Sequence, residues 1–209
     1  QERLNDAVRR ILRVKMQIGL LDGKKPHEYK YNFIGDPEHI KIARRAVRES
    51  LVLLKNNMNL LPLDATKHYV IVGDAAQSIN SQMGGWTITW QARENKNSDY
   101  KDVQNIYSAL ASNILSQGGT VEFSLDGSYQ KRPDAVIVVY GEEPYAEGDG
   151  DRKDLQFSSK DSSYLAIMES YKKLEFPIVS IFLSGRPLEI NRQLNLSNSF
   201  VAAWLPGTA

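Results

Sequence analysis

AVIVVYGEEPYAEGDGDRKD, residues 135–154, is the stretch on which the fold turns. Its opening, Ala135 to Tyr140, is apolar at every position, and the residues after it are mostly turn formers and carboxylates. A strand with one wet face alternates polar and apolar residues, whereas one that is apolar throughout is covered on both faces, as in a parallel sheet between layers of helices. The same kind of run recurs at Tyr69–Val72, Val121–Phe123, Ile178–Leu183 and Phe200–Trp204. Between these runs the apolar spacing turns helical, from about Asp102 to Ser116, closed by Gly118-Gly119, and again from about Asp161 to Leu174. The pattern predicts an α/β fold, a three-layer α/β sandwich with a mostly parallel sheet.

Upstream, Leu4, Val8 and Ile11, with Ala7, Val14 and Ile18 beside them, predict an amphipathic helix from Glu2 to Ile18, with Gly23 as its stop. Lys24 to Gly35 reads as a linker. Asp36-Pro37-Glu38 then has the order of a helix start: a capping side chain, a proline for the first turn, and an acid facing the positive end of the dipole. Ile42, Ala46, Leu51 and Leu54 carry that helix to about Lys55. The expected organisation is therefore a helix and linker over 1–35 and a sandwich domain over 36–209.

With 209 residues, 42% hydrophobic and 24% charged, the chain can bury a core without disulfides or a structural metal. Lys and Arg total 26 against 25 Asp and Glu, so its net charge of +1 gives no electrostatic case for nucleic acid or an anionic membrane. The longest apolar runs span six residues, far from the ~20 of a membrane span. The start, QERLNDAVRR, has neither an initiator Met nor the apolar core of a signal peptide, and reads as the cut edge of a longer polypeptide. Without cysteine there is no disulfide, thiolate nucleophile or Cys-bound zinc. His27, His39 and His68 have no H-E-x-x-H spacing, and the G-x-S-x-G, G-x-x-x-x-G-K-[ST] and G-x-G-x-x-G patterns are missing. No cofactor and no metal is expected.

Carboxylates and tryptophans remain. Open α/β sheets bind ligands outside the carboxyl ends of their strands, and there the acidic loop places Glu142, Glu143, Glu147, Asp149, Asp151 and Asp154. A solvated acidic loop is the plain reading, and a catalytic carboxylate the sharper one. A calcium loop fits poorly: counted from Glu147, Arg152 falls at the sixth position and Ser158 at the twelfth, where Gly and Glu are wanted. Trp86 and Trp90, in GGWTITWQ, could stack on sugar faces or anchor a core. Arg186, in LSGRP, could be a bidentate arm to a hydroxyl or carboxylate at a strand end, or a solvated residue in a Gly-Arg-Pro turn.

Taken in order, SLVLLKN (50–56) with LPL (61–63), MGGWTITWQ (83–91), GEEPYAE (141–147), SGRPLEIN (184–191) and AAWLPGT (202–208) resemble the second domain of glycoside hydrolase family 3, the β-glucosidases and exo-β-glucanases. The resemblance implies an α/β sandwich that follows a (β/α)8 barrel, with the active site between the two. The helix at 2–22 would then close a barrel that lies outside this chain together with its Asp nucleophile, and a closing segment would follow Thr208. By the same resemblance Glu147 is the acid/base catalyst, Glu142 and Glu143 are scaffold, and Trp90 stacks on the second sugar. Such chemistry is physically coherent, since retaining cleavage needs two carboxyl groups ~5–5.5 Å apart, one attacking and one donating a proton. Neighbouring acids are expected to raise the pKa of Glu147. The expected partners are a β-glucoside or β-glucan oligosaccharide and the barrel domain, in a periplasmic or secreted enzyme. The rival from another class is a non-catalytic carbohydrate-binding module that uses Trp86 and Trp90 alone.

Overall fold

A computed structural model of the chain describes residues 1–23, 35–157 and 162–208. The linker expected at 24–35 lies, apart from Gly35, outside the described residues, as does Asp161 at the expected start of a helix. The chain divides into two compact units, 1–40 and 41–209. In the first, helix α1 (Glu2–Gln17) obeys the periodicity of Leu4, Val8 and Ile11, and Gly19, at φ 81°, leads into a short 3-10 turn at Leu20–Asp22. Its apolar stripe, including Leu4, Ile11 and Met16, is exposed.

Helix α2 (Pro37–Ser50) begins as its sequence predicts, with the Asp36 side chain accepting the Glu38 N–H at 2.8 Å. It ends earlier than expected. Val52–Asn56 forms strand β1, antiparallel to the last strand of the sheet. Val52-Leu53-Leu54 suits a strand as well as a helix, and cross-strand pairing decides between them. Asn56 secures the turn beyond it: its amide donates to the Leu61 carbonyl and accepts the Leu61 N–H, both at 2.9 Å, while Ser199 donates to it at 2.7 Å.

The remaining strands are β2 (His68–Val72), β3 (Thr120–Ser124), β4 (Ala135–Gly141), β5 (Ile178–Leu183) and β6 (Ser199–Trp204). They form a six-stranded sheet in the order β1-β6-β5-β4-β2-β3, parallel except for β1. Two helices, α3 (Ile79–Gln82) and α4 (Ile106–Ser116), lie between β2 and β3, while α5 (Ser162–Lys173) connects β4 to β5 and α6 (Asn191–Leu196) connects β5 to β6. Helices α3 and α6 are too brief to show a period in the sequence. Helix α4 starts four residues later than expected, because Asp102 sits at φ 58° and Asn105 caps the helix by accepting the Ser108 N–H at 2.7 Å.

Successive strand residues point to opposite faces, and both faces are buried. Tyr69, Ile71, Ile137, Val139 and Val179 pack with Ile114 of α4. Val70, Val72, Val136, Val138, Tyr140 and Ile178 pack on the other side with Met168 and Tyr171 of α5 and with Leu194 of α6. Covering both faces is what the unbroken apolar runs require, and each fully buried side chain of this kind contributes about 1.5–3 kcal/mol. Because α4 lies on one face and α5 on the other, the connections leaving β2 and β4 diverge, and a crevice opens at the carboxyl ends of these neighbouring strands.

Candidate active site

Above those strand ends the chain forms two interlocked loops. The first, residues 83–95, comes after α3, which Ser78 caps by accepting the Ser81 N–H at 3.1 Å. The Trp86 N–H donates to the Trp90 carbonyl at 2.8 Å, and Trp86, Ile88 and Ala92 adopt positive φ values of 64°, 63° and 60°. Each such residue costs on the order of 1–3 kcal/mol and persists only where its surroundings impose it. Here a buried polar network does so. Asn95 donates to the Thr87 carbonyl at 2.6 Å, Asn80 donates to the Ala92 carbonyl at 2.7 Å, and the Tyr100 hydroxyl donates to Asn80 at 2.8 Å. The result presents two indoles, 68% and 53% exposed, with ring centres 6.2 Å apart and planes at 39°.

The second loop is the acidic stretch after β4. Glu142, at its root, is drawn into the fold: Arg186 and Arg152 lie 3.4 and 3.5 Å away, and the Tyr145 hydroxyl and the Gly185 N–H each donate to it at 3.3 Å. Arg186 stacks 3.9 Å over the Tyr145 ring, donates to its hydroxyl at 2.6 Å, and reaches the Gly150 carbonyl at 2.7 Å. It is thus not a solvated turn residue but a strut between the two ends of the loop, and the groups it reaches, the Tyr145 hydroxyl and the Glu142 carboxylate, are of the kind the arm reading names. Gln91 and Arg93 join the loops from the other side. The Gln91 amide accepts the Ala146 N–H at 2.7 Å and donates to the Glu147 carbonyl at 2.8 Å, and Arg93 donates to the Pro144 carbonyl at 3.1 Å and pairs with Asp149 at 2.7 Å. Gly85 fits beneath, where a Cβ would stand 2.2 Å from the Tyr145 carbonyl oxygen.

These contacts bring Glu147, Trp86 and Trp90 together. The Trp86 Nε1–H donates to both Glu147 oxygens, at 3.0 and 3.2 Å, and the Trp90 Nε1–H donates to Oε2 at 2.9 Å. The Trp90 bond, followed by the Glu147 backbone N–H and then the Trp86 bond, holds the Glu147 carboxyl below the usual glutamate range. This reverses the expectation that neighbouring acids raise it. Two of those acids are paired with arginines, Asp149 with Arg93 and Glu142 with Arg152 and Arg186. Glu147 and Asp149, which a calcium loop would aim at one point, turn to different partners. Glu143 and Asp151 lie on the exposed side of the loop.

A cleft of 580 Å³ lies at the switch point between β2 and β4, lined by Asp74, Arg93, Glu142, Tyr145, Arg152 and Arg186 among others. The Tyr164 hydroxyl closes it from α5 by donating to Asp74. Glu147 and the two tryptophans do not line it. Of the two places, the exposed Glu147 group is the better candidate for chemistry, because Arg93, Glu142, Arg152 and Arg186 in the cleft are already engaged in ion pairs.

Residues 51–209 match the glycosyl hydrolase family 3 C-terminal domain. The chain is 30% identical to a lysosomal beta glucosidase of Dictyostelium discoideum, aligning over 100% of its own length and 27% of that protein. It is 26% identical to a periplasmic beta-glucosidase of Salmonella typhimurium, over 98% of this chain and 31% of the other. Among solved structures, an exo-1,3/1,4-beta-glucanase from a Pseudoalteromonas species superposes with a TM-score of 0.89 at 44% identity, covering 99% of this chain and 26% of that one. The chain thus spans about a quarter to a third of the length of these relatives.

Proposed function

The chain belongs to glycosyl hydrolase family 3 through that family's C-terminal domain, and from this premise we propose that it is the sandwich part of a retaining, exo-acting β-glucosidase or β-glucanase that releases terminal β-D-glucosyl residues. The observation that carries the reading is the Glu147 carboxylate, held on the loop after β4 between two exposed indoles. In the first step Glu147 protonates the glycosidic oxygen while an Asp of a (β/α)8 barrel in the same polypeptide attacks the anomeric carbon. In the second, the Glu147 carboxylate takes a proton from the water that releases the sugar. Trp90 offers its face to the outer sugar and Trp86 flanks it. Glu142, Arg186 and Gln91 fix the loop so that the acid meets the bond at one distance.

This reading also explains why Glu147 and the indoles stand on open surface: a second domain would enclose them and exclude water. The relative named periplasmic supports a periplasmic or secreted enzyme, while another is named lysosomal, and no described helix is long and apolar enough to cross a membrane.

The test is Glu147→Ala in the barrel-containing enzyme. An unactivated disaccharide needs its leaving oxygen protonated and should lose about 10²–10⁴ in kcat/KM, while a dinitrophenyl glucoside, whose leaving group departs as a stable anion, should lose far less. Azide, which attacks the covalent intermediate without a base, should restore turnover and yield β-glucosyl azide. Equal losses on both substrates with no azide effect would remove Glu147 from the role and bring Asp151 forward.

A further inference from the structure

The indoles of Trp86 and Trp90 do something that stacking on a sugar does not require. Stacking uses ring faces and leaves the direction of the N–H free, yet both N–H groups converge on one carboxylate, with three contacts of 2.9–3.2 Å. We propose that Trp86 and Trp90 form a two-donor clamp that aims the Glu147 carboxylate and stabilises its anionic form, a positioning duty separate from any contact with sugar. The catalytic meaning of this clamp rests on the acid/base reading above; its geometry does not.

Three features of the loop are built around that convergence. The bond from the Trp86 N–H to the Trp90 carbonyl, with the left-handed backbone at Trp86 and Ile88, brings side chains four residues apart onto one side of the turn. The Asn80–Asn95–Tyr100 network underneath holds this strained backbone in place. Gln91, between the strained segment and Arg93, grips the backbone of Ala146 and Glu147. Glu147 is therefore fixed at both ends, its backbone by an amide and its carboxylate by two indoles. An exposed glutamate would otherwise sample several rotamers.

The donors also set a charge preference, because a hydrogen bond to the ionised form favours that form. The charged groups on the surrounding segments are Arg93, Glu94, Glu142, Glu143, Asp149, Asp151, Arg152 and Arg186. Arg93 is paired with Asp149, and Glu142 lies against Arg152 and Arg186. Glu147 is in no ion pair among the described residues, and its ionised form is favoured by the Trp90 N–H first, then by its own backbone N–H and the Trp86 N–H. Such a clamp suits the base half of a double displacement and opposes the acid half, so it places the pH at which the acid form is exhausted.

The experiment tracks the side-chain carboxyl carbon of Glu147 by NMR in the full chain labelled with [5-¹³C]glutamate, assigned with Glu147→Gln. Trp86→Phe and Trp90→Phe keep an aromatic face and delete the donor. The midpoint of the Glu147 titration should move to higher pH in each variant and further in the double variant. Without any substitution at the indoles, both indole N–H resonances should titrate with the Glu147 midpoint and stop doing so in Glu147→Gln. An unchanged midpoint in both variants, or indole resonances indifferent to that titration, would overturn the clamp. In the barrel-containing enzyme the basic limb of kcat/KM should rise with the midpoint. A moved midpoint combined with equal losses on both leaving groups in Glu147→Ala supports the clamp and refutes the acid/base role, so the two failures are distinguishable.

Discussion

Arg186 shows how one side chain positions another without touching it. Its guanidinium binds Tyr145, two residues before Glu147, and Gly150, three residues after, so the span carrying the carboxylate is held at both ends. In the barrel-containing enzyme, Arg186→Met keeps the stem and removes the donors. It should lower kcat by about 10²-fold, the cost of a 1 Å misplacement, with little change in the inhibition constant of a monosaccharide; a change confined to that constant would make Arg186 a binding residue instead. A second residue bears on the pH dependence of stability. Asp126, at the carboxyl end of β3, accepts the Ser128 N–H and the Ser124 hydroxyl, both at 2.9 Å, and these bonds, Ser128 first, pull its pKa down to about 2. A depressed carboxylate pKa contributes stability above the unfolded value of about 3.9, and that stability is lost as pH falls through the folded one. Asp126→Asn should therefore lower the urea midpoint at pH 6 and flatten its acid dependence between about pH 4 and 2. Parallel curves for variant and parent would remove Asp126 from that dependence.

At the scale of elements, the contact between the two loops is steric as well as polar. A Cβ on Gly85 would lie 2.2 Å from the Tyr145 carbonyl and 2.9 Å from the Ala146 Cβ, so Gly85→Ala forces the loops apart. Overpacking of this kind costs about 1–3 kcal/mol. The expected outcome is a lower melting temperature together with loss of the coupling between the indole and Glu147 titrations; unaltered coupling would mean that the loops dock elsewhere. The sequence predicts the strands well because each buried run is a local signal, and β5 stands at the residues where its apolar run places it. The reading of residues 51–55 as helix fails for a reason of the same scale. The apolar run there fits either period, and only β6, some 150 residues away, makes it a strand. Helices α3 and α6 escape the sequence reading because they are no longer than six residues and show no repeating face.

For the whole molecule, the functional prediction is one of insufficiency. General acid catalysis is worth about 10²–10⁴, whereas intact enzymes reach accelerations of about 10⁶–10¹⁷. The 209-residue chain by itself should show no measurable turnover of aryl β-glucosides, and the proposed barrel-containing enzyme should show it. Turnover by the isolated chain at the rate of an intact glucosidase would refute the division of catalytic groups between two domains.

The arrangement of layers, the mostly parallel sheet and the loops that matter are legible in the sequence alone, because hydrophobic patterning and turn chemistry act over a few residues. The tertiary structure decides the rest: β1 as a strand, Arg186 as a strut, and the partners of Glu147. Glu147 lies 61 residues from Trp86 and 57 from Trp90, and no periodicity spans such distances. The carboxylate's charge preference depends on which groups the fold delivers to it. Among a loop full of acids the sequence predicts a raised pKa, and two indole N–H groups brought in from another loop, together with the residue's own backbone N–H, turn it the other way.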